Sequence, residues 1–166
     1  MSTSGAGLYG RLHRLVMPPG RSQTALDRRA TRAWTQLDAT FYRRLGWSPA
    51  ARLMKVDVLR LTTIGRRSGR RRSVLVACLP GDDGTIVIGG GNWGWDHDPG
   101  WLHNLRVQPQ CEVQRGRTTR AMVATILEGP AADVARADLV AAYPHSQAYV
   151  ERRVRPVPAV RLSPAS

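Results

Sequence analysis

This chain of 166 residues has few acidic residues, few cysteines and little lysine. Only 12 Asp and Glu residues oppose 25 Lys and Arg residues, which gives a formal net charge of +13 at pH 7. Lys55 is the only lysine, so arginine carries nearly all of the positive charge. Such a surplus attracts polyanions: nucleic acid, anionic lipid headgroups, or a phosphorylated or polycarboxylate small molecule.

The two cysteines, Cys78 and Cys111, are too few for a disulfide framework. Each lies in a predicted strand, and we expect both to be buried free thiols. No segment approaches the roughly 18 apolar residues that a membrane-spanning helix needs, and no signal-peptide-like run is present. We therefore expect a cytoplasmic protein. Residues 8–17 alternate leucines with basic residues, so this segment could also touch the inner face of the cell membrane.

The composition, with 42% hydrophobic and 22% charged residues, predicts a globular chain with one core. We predict a flexible N-terminal segment over residues 1–23, a single domain over residues 24–162 and a tail over residues 163–166. A helical period from Thr24 to Leu45 predicts that the domain begins with a helix, which Gly46 ends.

After this helix the sequence changes to short β-rich runs. The predicted strands are Val56–Thr63, Ser73–Leu79, Thr85–Gly90, Gln110–Arg115, Thr118–Leu127 and Val154–Leu162. Short connections require antiparallel neighbours, so we predict an α+β fold in which a small antiparallel β-barrel of about six strands is flanked by helices. One helix should begin near Asp98 and Pro99, with Asp98 as its cap, and another after Gly129-Pro130. Prolines 156 and 158 favour an edge or bulged position for the last strand.

A strongly basic loop follows the first predicted strand. In Arg66–Arg72, five of seven residues are arginine, and Gly65, Ser68 and Gly69 allow a sharp turn. We expect backbone N–H groups to point outward beside the guanidinium groups, which together would receive phosphate or carboxylate. The loop therefore predicts a strongly anionic ligand.

A glycine-rich loop follows the third predicted strand, where Gly89–Gly94 has the spelling G-x-G-x-x-G. A dinucleotide-binding fold is rejected because no helix starts at the last glycine and the preceding strand belongs to a hairpin. The glycines still allow a flat or anionic ligand to approach the backbone. Trp93, Trp95 and Trp101 could stack on a ring system or pack over the barrel mouth, and both readings stay open.

Protein-based catalytic groups are poorly supported. There is no G-x-S-x-G motif, and neither cysteine has an exposed electropositive setting. The acids and histidines of the glycine-rich loop fit no standard metal spacing, so no metal site is predicted; these residues are Asp96, His97, Asp98 and His103. We expect a bound cofactor to supply the chemistry.

Tyr143, Ser146 and Tyr149 recur at three-residue intervals after the last predicted helix. Side chains three apart on a helical turn share a face, so these hydroxyls could line one wall of a pocket. Tyrosine hydroxyls can orient an acceptor or donate a proton to it. The alternative, that they cap the barrel with their hydroxyls in water, stays open.

The order of these signals resembles the deazaflavin-dependent nitroreductase family, split β-barrel oxidoreductases of actinobacteria that use reduced coenzyme F(420). The likeness covers Lys55 to Leu162. It rests on the motifs Leu61–Gly69 with Arg72, Gly90-Gly91-Asn92 leading to Trp101–Pro109, and Tyr143–Tyr149. The resemblance implies a split barrel like that of FMN-binding proteins.

The resemblance also implies site residues, because this coenzyme carries a phosphodiester and an oligoglutamate tail. The tail would bind Arg66, Arg67 and Arg72. The phosphate or ring would approach Ser73, Gly90, Gly91 and Asn92, with Asn104 supporting that loop. The substrate would be oriented by Tyr143, Ser146 and Tyr149. Two positions depart from the family: Gly91, where many relatives have serine, and Ser146, where nitroimidazole-activating members have tyrosine.

We therefore predict an oxidoreductase that passes a hydride from reduced F(420) to a small-molecule acceptor such as a quinone, enone or nitroaromatic. FMN is the alternative cofactor, since it is also planar and anionic. A non-catalytic carrier of F(420), FMN, haem or fatty acid is the alternative function. A nucleic-acid-binding module is supported only by charge and aromatic residues, so no nucleic-acid partner is predicted. The sequence leaves the oligomeric state open.

Overall fold

A computed structural model describes residues 39–48, 51–52 and 55–165 of the chain. A few side chains within this part lie outside the description: Trp93, His145, Ala148, Tyr149 and Arg152. The predicted segment 1–23, its membrane contact at residues 8–17 and most of the predicted first helix also fall outside the described residues.

The described part contains six strands in the predicted order and, besides 3-10 turns and the helical residues 51–52, four α-helices, of which the last was not predicted from the sequence. The strands are β1 (Val58–Ile64), β2 (Arg71–Pro80), β3 (Ile86–Gly89), β4 (Gln110–Arg115), β5 (Thr118–Ile126) and β6 (Ala159–Pro164). The helices are α1 (residues 39–45), α2 (Gly100–Val107), α3 (Gly129–Ala142) and α4 (Gln147–Arg152). Gly46 ends α1 with a φ of 75°, in the left-handed region that glycine adopts without strain.

The strands close into an antiparallel barrel in the order β1-β2-β3-β6-β5-β4, and β4 returns to pair with β1. Alternate residues point inward, so Leu59 and Leu61 of β1 are fully buried. Ile88, Val160 and Leu162 meet them in the same core. The predicted split-barrel α+β fold is confirmed, and closure leaves no sheet edge unpaired in the barrel.

Helix α2 contributes to the barrel core. Its Trp101, Leu102 and Leu105 are buried in the same apolar cluster as the inward residues of the strands. For Trp101 the packing interpretation is therefore correct. The polar side of the helix reaches β1, because Asn104 is also buried and donates to the Thr63 hydroxyl. This contact places α2 beside the end of β1 from which the arginine-rich loop leaves.

The last strand differs from its prediction at both ends. β6 begins at Ala159 rather than Val154 and continues to Pro164, so the barrel includes two residues of the predicted tail 163–166. It pairs with both β3 and β5 and is not an edge strand. Pro156 and Pro158 precede the strand, where the missing N–H groups cost no ladder hydrogen bond.

The predicted cap of α2 is also wrong. Pro99 occupies the N-cap position, and no side chain caps the helix. Asp98 instead forms ion pairs with Arg106 and Arg153. Two guanidinium partners outcompete a single backbone N–H for the same carboxylate, because charge-assisted hydrogen bonds are the stronger ones.

Cys78 and Cys111 are buried free thiols, as predicted. Burial raises the pKa of Cys78 to about 12 and that of Cys111 to about 11, so neither is a thiolate nucleophile near neutral pH. No helix in the described part is long and apolar enough to span a membrane. The described residues also contain no cluster of three or more potential metal ligands.

Candidate functional site

The arginine-rich loop is a tight turn that is closed by its own backbone. The Gly65 N–H donates to the Arg70 carbonyl at 2.8 Å, and the Gly69 N–H donates back to the Gly65 carbonyl at 2.8 Å. A Cβ atom on Gly65 would lie 2.8 Å from the Ser68 Oγ, so only glycine fits there without movement. Gly69 has a φ of 62°, which favours glycine for a different reason.

The side chain of Asn104 in α2 stabilises this loop through two hydrogen bonds. Its side-chain Oδ1 accepts a hydrogen bond from the Arg66 N–H at 3.1 Å, and its Nδ2 donates to the Thr63 Oγ1 at 2.9 Å. The amide thus joins the end of β1 to the first residue of the loop. Since Asn104 is buried, both bonds are shielded from competing water.

The prediction that this turn presents free backbone N–H groups is wrong at most of its positions. The N–H groups of Gly65, Ser68 and Gly69 are bonded within the loop, and that of Arg66 is bonded to Asn104. A turn of this size satisfies its own donors before it can offer them to a ligand. Ligand recognition here must depend mainly on side chains.

Four of the five loop arginines have no acidic partner among the residues that the structure describes. Of the five, only Arg71 forms an ion pair there, with Glu112 of β4. The other four side chains are exposed: Arg66, Arg67, Arg70 and Arg72. Like charges this close repel one another, so the loop provides a strong positive field for an anionic ligand.

A polar network continues from the loop along the outer face of the barrel. The Ser73 hydroxyl lies 2.8 Å from the Thr62 hydroxyl and accepts from Arg60 Nη1 at 3.0 Å. Arg60 Nε also donates to Gln114 Oε1 at 2.8 Å. Burial lowers the pKa of Arg60 from its ordinary value, and nearby Arg43 adds to the effect. Sequence reasoning missed Arg60, although a charge alternating with leucines on a strand marked it as outward-facing.

The glycine-rich loop between β3 and α2 has its polar groups largely satisfied. Gly90 donates its N–H to the Pro158 carbonyl at 2.7 Å and accepts a bond from Arg153 Nη1 at 3.3 Å. Asn92 has a φ of 43° and donates its side-chain amide to the His97 carbonyl at 2.9 Å. Gly91 is more open, since a Cβ there would meet only Val157 Cγ1, at 4.0 Å.

Arg153 holds this loop in place. Its side chain is only 1% exposed and lies 3.1 Å from Asp98 Oδ1. It also donates to the Trp95 carbonyl at 2.8 Å, in addition to Gly90. Arg106 binds the other carboxylate oxygen of Asp98 at 2.9 Å. Burial alone would raise the pKa of Asp98, but the hydrogen bonds from Arg106 and Arg153 outweigh it, and the net pKa is lowered.

Sequence reasoning did not single out Arg153. In the sequence it is one more arginine in a basic segment near the C-terminus. Its neighbour Val154 donates its N–H to the Asp96 carboxylate at 2.9 Å, which adds a second tie to the same loop. No local signal distinguishes this buried arginine from an exposed one.

The structure separates the predicted hydroxyl residues. Tyr143 lies outside the helices, at the C-cap of α3, and its buried hydroxyl donates to the Cys78 carbonyl at 2.6 Å. Ser146 ends a short 3-10 turn, and its buried Oγ has no hydrogen-bond partner among the described residues. The predicted shared helical face therefore does not include Tyr143. The side chain of Tyr149 falls outside the described part.

Tyr143 and the arginine-rich loop contact opposite ends of β2. Cys78 is seven residues from Arg71 along this strand, a span of about 23 Å at the usual rise per residue. Arg66, Arg72, Ser73 and Asn104 thus form one group at one end, whereas the hydroxyl of Tyr143 lies at the other. Only an elongated ligand could reach both.

The charge of the site fits a polyanion. Residues 34–164 of the chain match the family of F(420)H(2)-dependent quinone reductases. The oligoglutamate tail of coenzyme F(420) is the kind of ligand that four exposed guanidinium groups, without acidic partners in the described part of the chain, would bind. The residues present therefore fit the cofactor of the matched family.

One solved structure supports the same assignment, and two others share the fold. An F(420)-H(2) dependent reductase, FDR-A, is 25% identical with a TM-score of 0.59, and the match covers 64% of this chain and 94% of that chain. A chain solved as a domain-swapped dimer is 21% identical with a TM-score of 0.61, and the match covers 81% and 99%. The protein Atu2129 of Agrobacterium tumefaciens, of unknown function, is 16% identical with a TM-score of 0.54, covering 70% and 54%.

The last two likenesses show the fold alone, whereas the family match spans the described barrel and both of its loops. The predicted oxidoreductase activity and its predicted cofactor, coenzyme F(420), are therefore confirmed at the level of the family. This chain belongs to the F(420)H(2)-dependent quinone reductase family.

Proposed function

We propose that this enzyme passes a hydride from reduced F(420) to an unsaturated small molecule such as a quinone, enone or nitroaromatic. The proposal rests on the loop held by Asn104, in which four arginines have no acidic partner among the described residues: Arg66, Arg67, Arg70 and Arg72. When bound, the coenzyme supplies the hydride, and the protein supplies position and electrostatics.

Arg66, Arg67 and Arg72 bind the acidic tail in this proposal. Their backbone is held by the Gly65–Arg70 bonds and by Asn104 before any ligand arrives. Such preorganisation lowers the entropy that binding would otherwise cost. The side chains remain exposed and can adapt to successive carboxylates.

Ser73 and the residues Gly90, Gly91 and Asn92 approach the phosphate or the deazaflavin ring. Both backbone groups of Gly90 are already bonded, so its role is to hold the loop. Gly91 is the position with room for close approach. Ser73 lies on the barrel surface directly after Arg72, and its hydroxyl is oriented by Arg60 and Thr62.

Ser146 and Tyr149 are the proposed contacts with the acceptor. The buried Ser146 hydroxyl, which has no partner in the part of the chain that the structure describes, keeps hydrogen-bonding capacity that an acceptor oxygen would satisfy. Tyr143 instead positions this segment, because its hydroxyl is bonded to the Cys78 carbonyl. Burial raises the pKa of Tyr143, which also makes it a poor proton donor near neutral pH.

The direct test is a fluorescence titration of the purified protein with F(420) and, side by side, with FMN. We expect saturable binding of F(420) by micromolar concentrations and weaker binding of FMN, because FMN lacks the polyanionic tail. No saturable F(420) binding, or tighter binding of FMN, would contradict the cofactor assignment for this chain.

Turnover is tested by mixing the protein anaerobically with reduced F(420) and a panel of quinones, enones and nitroaromatics. Oxidation of the reduced coenzyme by at least one class is expected. Binding without oxidation across the panel would instead identify a carrier. Ser146→Ala should raise the KM for the acceptor, whereas Tyr143→Phe should lower thermal stability with little change in KM.

A further inference from the structure

Exposed large apolar side chains are concentrated at one place in the described part of the chain. Phe41, Leu45 and Trp47 are 55%, 48% and 44% exposed, and they lie within seven residues. The remaining exposed large apolar residues are valines that lie singly on separate segments: Val107, Val134 and Val154. Scattered residues need no explanation, but a cluster of large side chains indicates an interaction site.

Packing of α1 on the barrel fixes this cluster in its outward orientation. Tyr42 is 3% exposed; its hydroxyl donates to the Val58 carbonyl at 2.9 Å and accepts from the Gly116 N–H at 3.1 Å. Phe41 and Leu45 are four residues apart, so they share a face of the helix. That face is not the one that Tyr42 buries, and its apolar side chains stay in solvent.

Within the segment that carries the cluster, the charges have one sign. No acidic residue occurs between Asp38 and Asp57 in the sequence. The same stretch carries four exposed cations: Arg43, Arg44, Arg52 and Lys55. The Arg52 guanidinium lies 5.9 Å from the centre of the Trp47 ring, so cation and aromatic ring form one surface.

We propose that this surface, which we call the α1 patch, binds an anionic lipid bilayer. Its members are Phe41, Leu45, Trp47, Arg43, Arg44, Arg52 and Lys55. Aromatic and aliphatic side chains enter the boundary between headgroups and acyl chains, while the cations neutralise the headgroups. A second copy of the chain is a poorer partner, because two α1 patches would bring like charges together.

This inference differs from the predicted contact at residues 8–17, and it does not depend on the identity of the electron acceptor. It concerns where the enzyme works. A bilayer is also where lipid-soluble acceptors dissolve, so the α1 patch would bring the enzyme to them.

The test is cosedimentation of the full chain with phosphatidylcholine vesicles that contain about 30% phosphatidylglycerol. The triple variant Phe41→Ser, Leu45→Ser, Trp47→Ser should reduce vesicle partitioning by about tenfold or more. The matched control Val107→Ser, Val134→Ser, Val154→Ser should stay within about twofold of the wild type. F(420) affinity, measured on all three proteins, verifies that the barrel is folded.

A second set of variants keeps the test valid if the apolar triple fails to fold. Arg44→Gln, Arg52→Gln, Lys55→Gln should also weaken partitioning, and raising salt to about 0.5 M should weaken wild-type binding by about tenfold. The proposal is overturned if the wild type does not sediment with the anionic vesicles, or if the valine control loses as much binding as the apolar triple. It is also overturned if sedimentation velocity shows that the α1-patch variants change only the oligomeric state.

Discussion

The two loops that flank the proposed coenzyme site use arginine in opposite ways. In the arginine-rich loop, most backbone N–H groups are hydrogen-bonded within the loop, and that of Arg66 is bonded to Asn104. The guanidinium groups of Arg66, Arg67 and Arg72 have no acidic partner in the described part of the chain. In the glycine-rich loop, the backbone is held from outside by the guanidinium of Arg153, which is buried and paired with Asp98.

The arginines of the first loop are therefore available to bind a ligand, whereas Arg153 stabilises the folded structure. An unpaired exposed cation gains most when an anion arrives, so its removal should affect ligand affinity and leave folding intact. A buried paired cation has no contact left to offer, and its removal leaves Asp98 with Arg106 as its remaining guanidinium partner and two loop carbonyls without their donor. Variants of the two loops should therefore change different measured quantities.

The largest effect is expected at the buried cation. Arg153→Gln should lower the free energy of unfolding by about 3 kcal/mol, because it removes one partner of a buried ion pair and three hydrogen bonds to backbone carbonyls. Denaturant unfolding measures this loss. Arg155→Gln, two residues away and exposed, should stay within about 0.5 kcal/mol of the wild type. Equal losses of unfolding free energy in the two variants would show that the buried ion pair of Arg153 does not stabilise the fold more than an exposed arginine does.

Removing the exposed cations of the arginine-rich loop should weaken ligand binding and leave the stability of the fold unchanged. Replacing Arg66, Arg67 and Arg72 with alanine should weaken F(420) binding by about 100-fold, or about 2.7 kcal/mol, with unfolding unchanged. The control replaces three exposed arginines elsewhere, Arg117, Arg120 and Arg161, and removes the same net charge. If the control weakens binding equally, overall charge rather than the loop attracts the coenzyme.

A smaller effect is expected from pH. The pKa of Asp98 is lowered in the folded protein, so its ion pairs stabilise the fold above the ordinary Asp pKa, and this contribution is lost as pH falls through the lowered folded value. Asp98→Asn should thus be less stable than the wild type by about 1–2 kcal/mol at neutral pH. Thermal unfolding between about pH 7 and pH 2 should show the gap closing below about pH 4. A gap independent of pH would contradict the ion-pair interpretation.

The smallest effect concerns the glycine-rich loop as a ligand contact. Gly91→Ser has room for its Cβ and should improve F(420) affinity by about threefold to tenfold, through one added hydroxyl contact. In Gly90→Ser, the Cβ would instead face Pro158, with its carbonyl oxygen at 3.4 Å, which is the short end of ordinary contact. That variant should bind no more tightly than the wild type. Isothermal titration of both would show whether Gly91 lies beside the coenzyme.

Local features of the fold could be predicted from the sequence, because alternation and turn residues act over a few positions. The prediction for β4 was correct at both ends, and that for β5 missed by one residue. The predicted start of β6 is five residues too early, at Val154 instead of Ala159. The segment before Ala159 is held by a hydrogen bond from Gly90 to the Pro158 carbonyl, and a contact between segments so far apart in the chain leaves no local signal in the sequence. The pairing of β3 with β6 is likewise set by closure of the barrel.

The candidate site shows the same division. The density of arginine between Arg66 and Arg72 marks the loop without any structure, because so many like charges cannot be buried. Arg153 could not be singled out, since its burial depends on Asp98 and on two carbonyls far away in sequence. Asp98 was assigned to a helix cap from its local position beside Pro99, whereas two distant guanidinium groups determine its role.

The most direct test compares F(420) with a deazaflavin that keeps the phosphate and lacks only the glutamate tail. Both ligands are titrated into the wild type and into the triple variant at Arg66, Arg67 and Arg72. The account predicts that the wild type prefers F(420) by about 100-fold and that the variant loses this preference while binding the shorter ligand as the wild type does. An unchanged preference in the variant would show that the tail binds elsewhere.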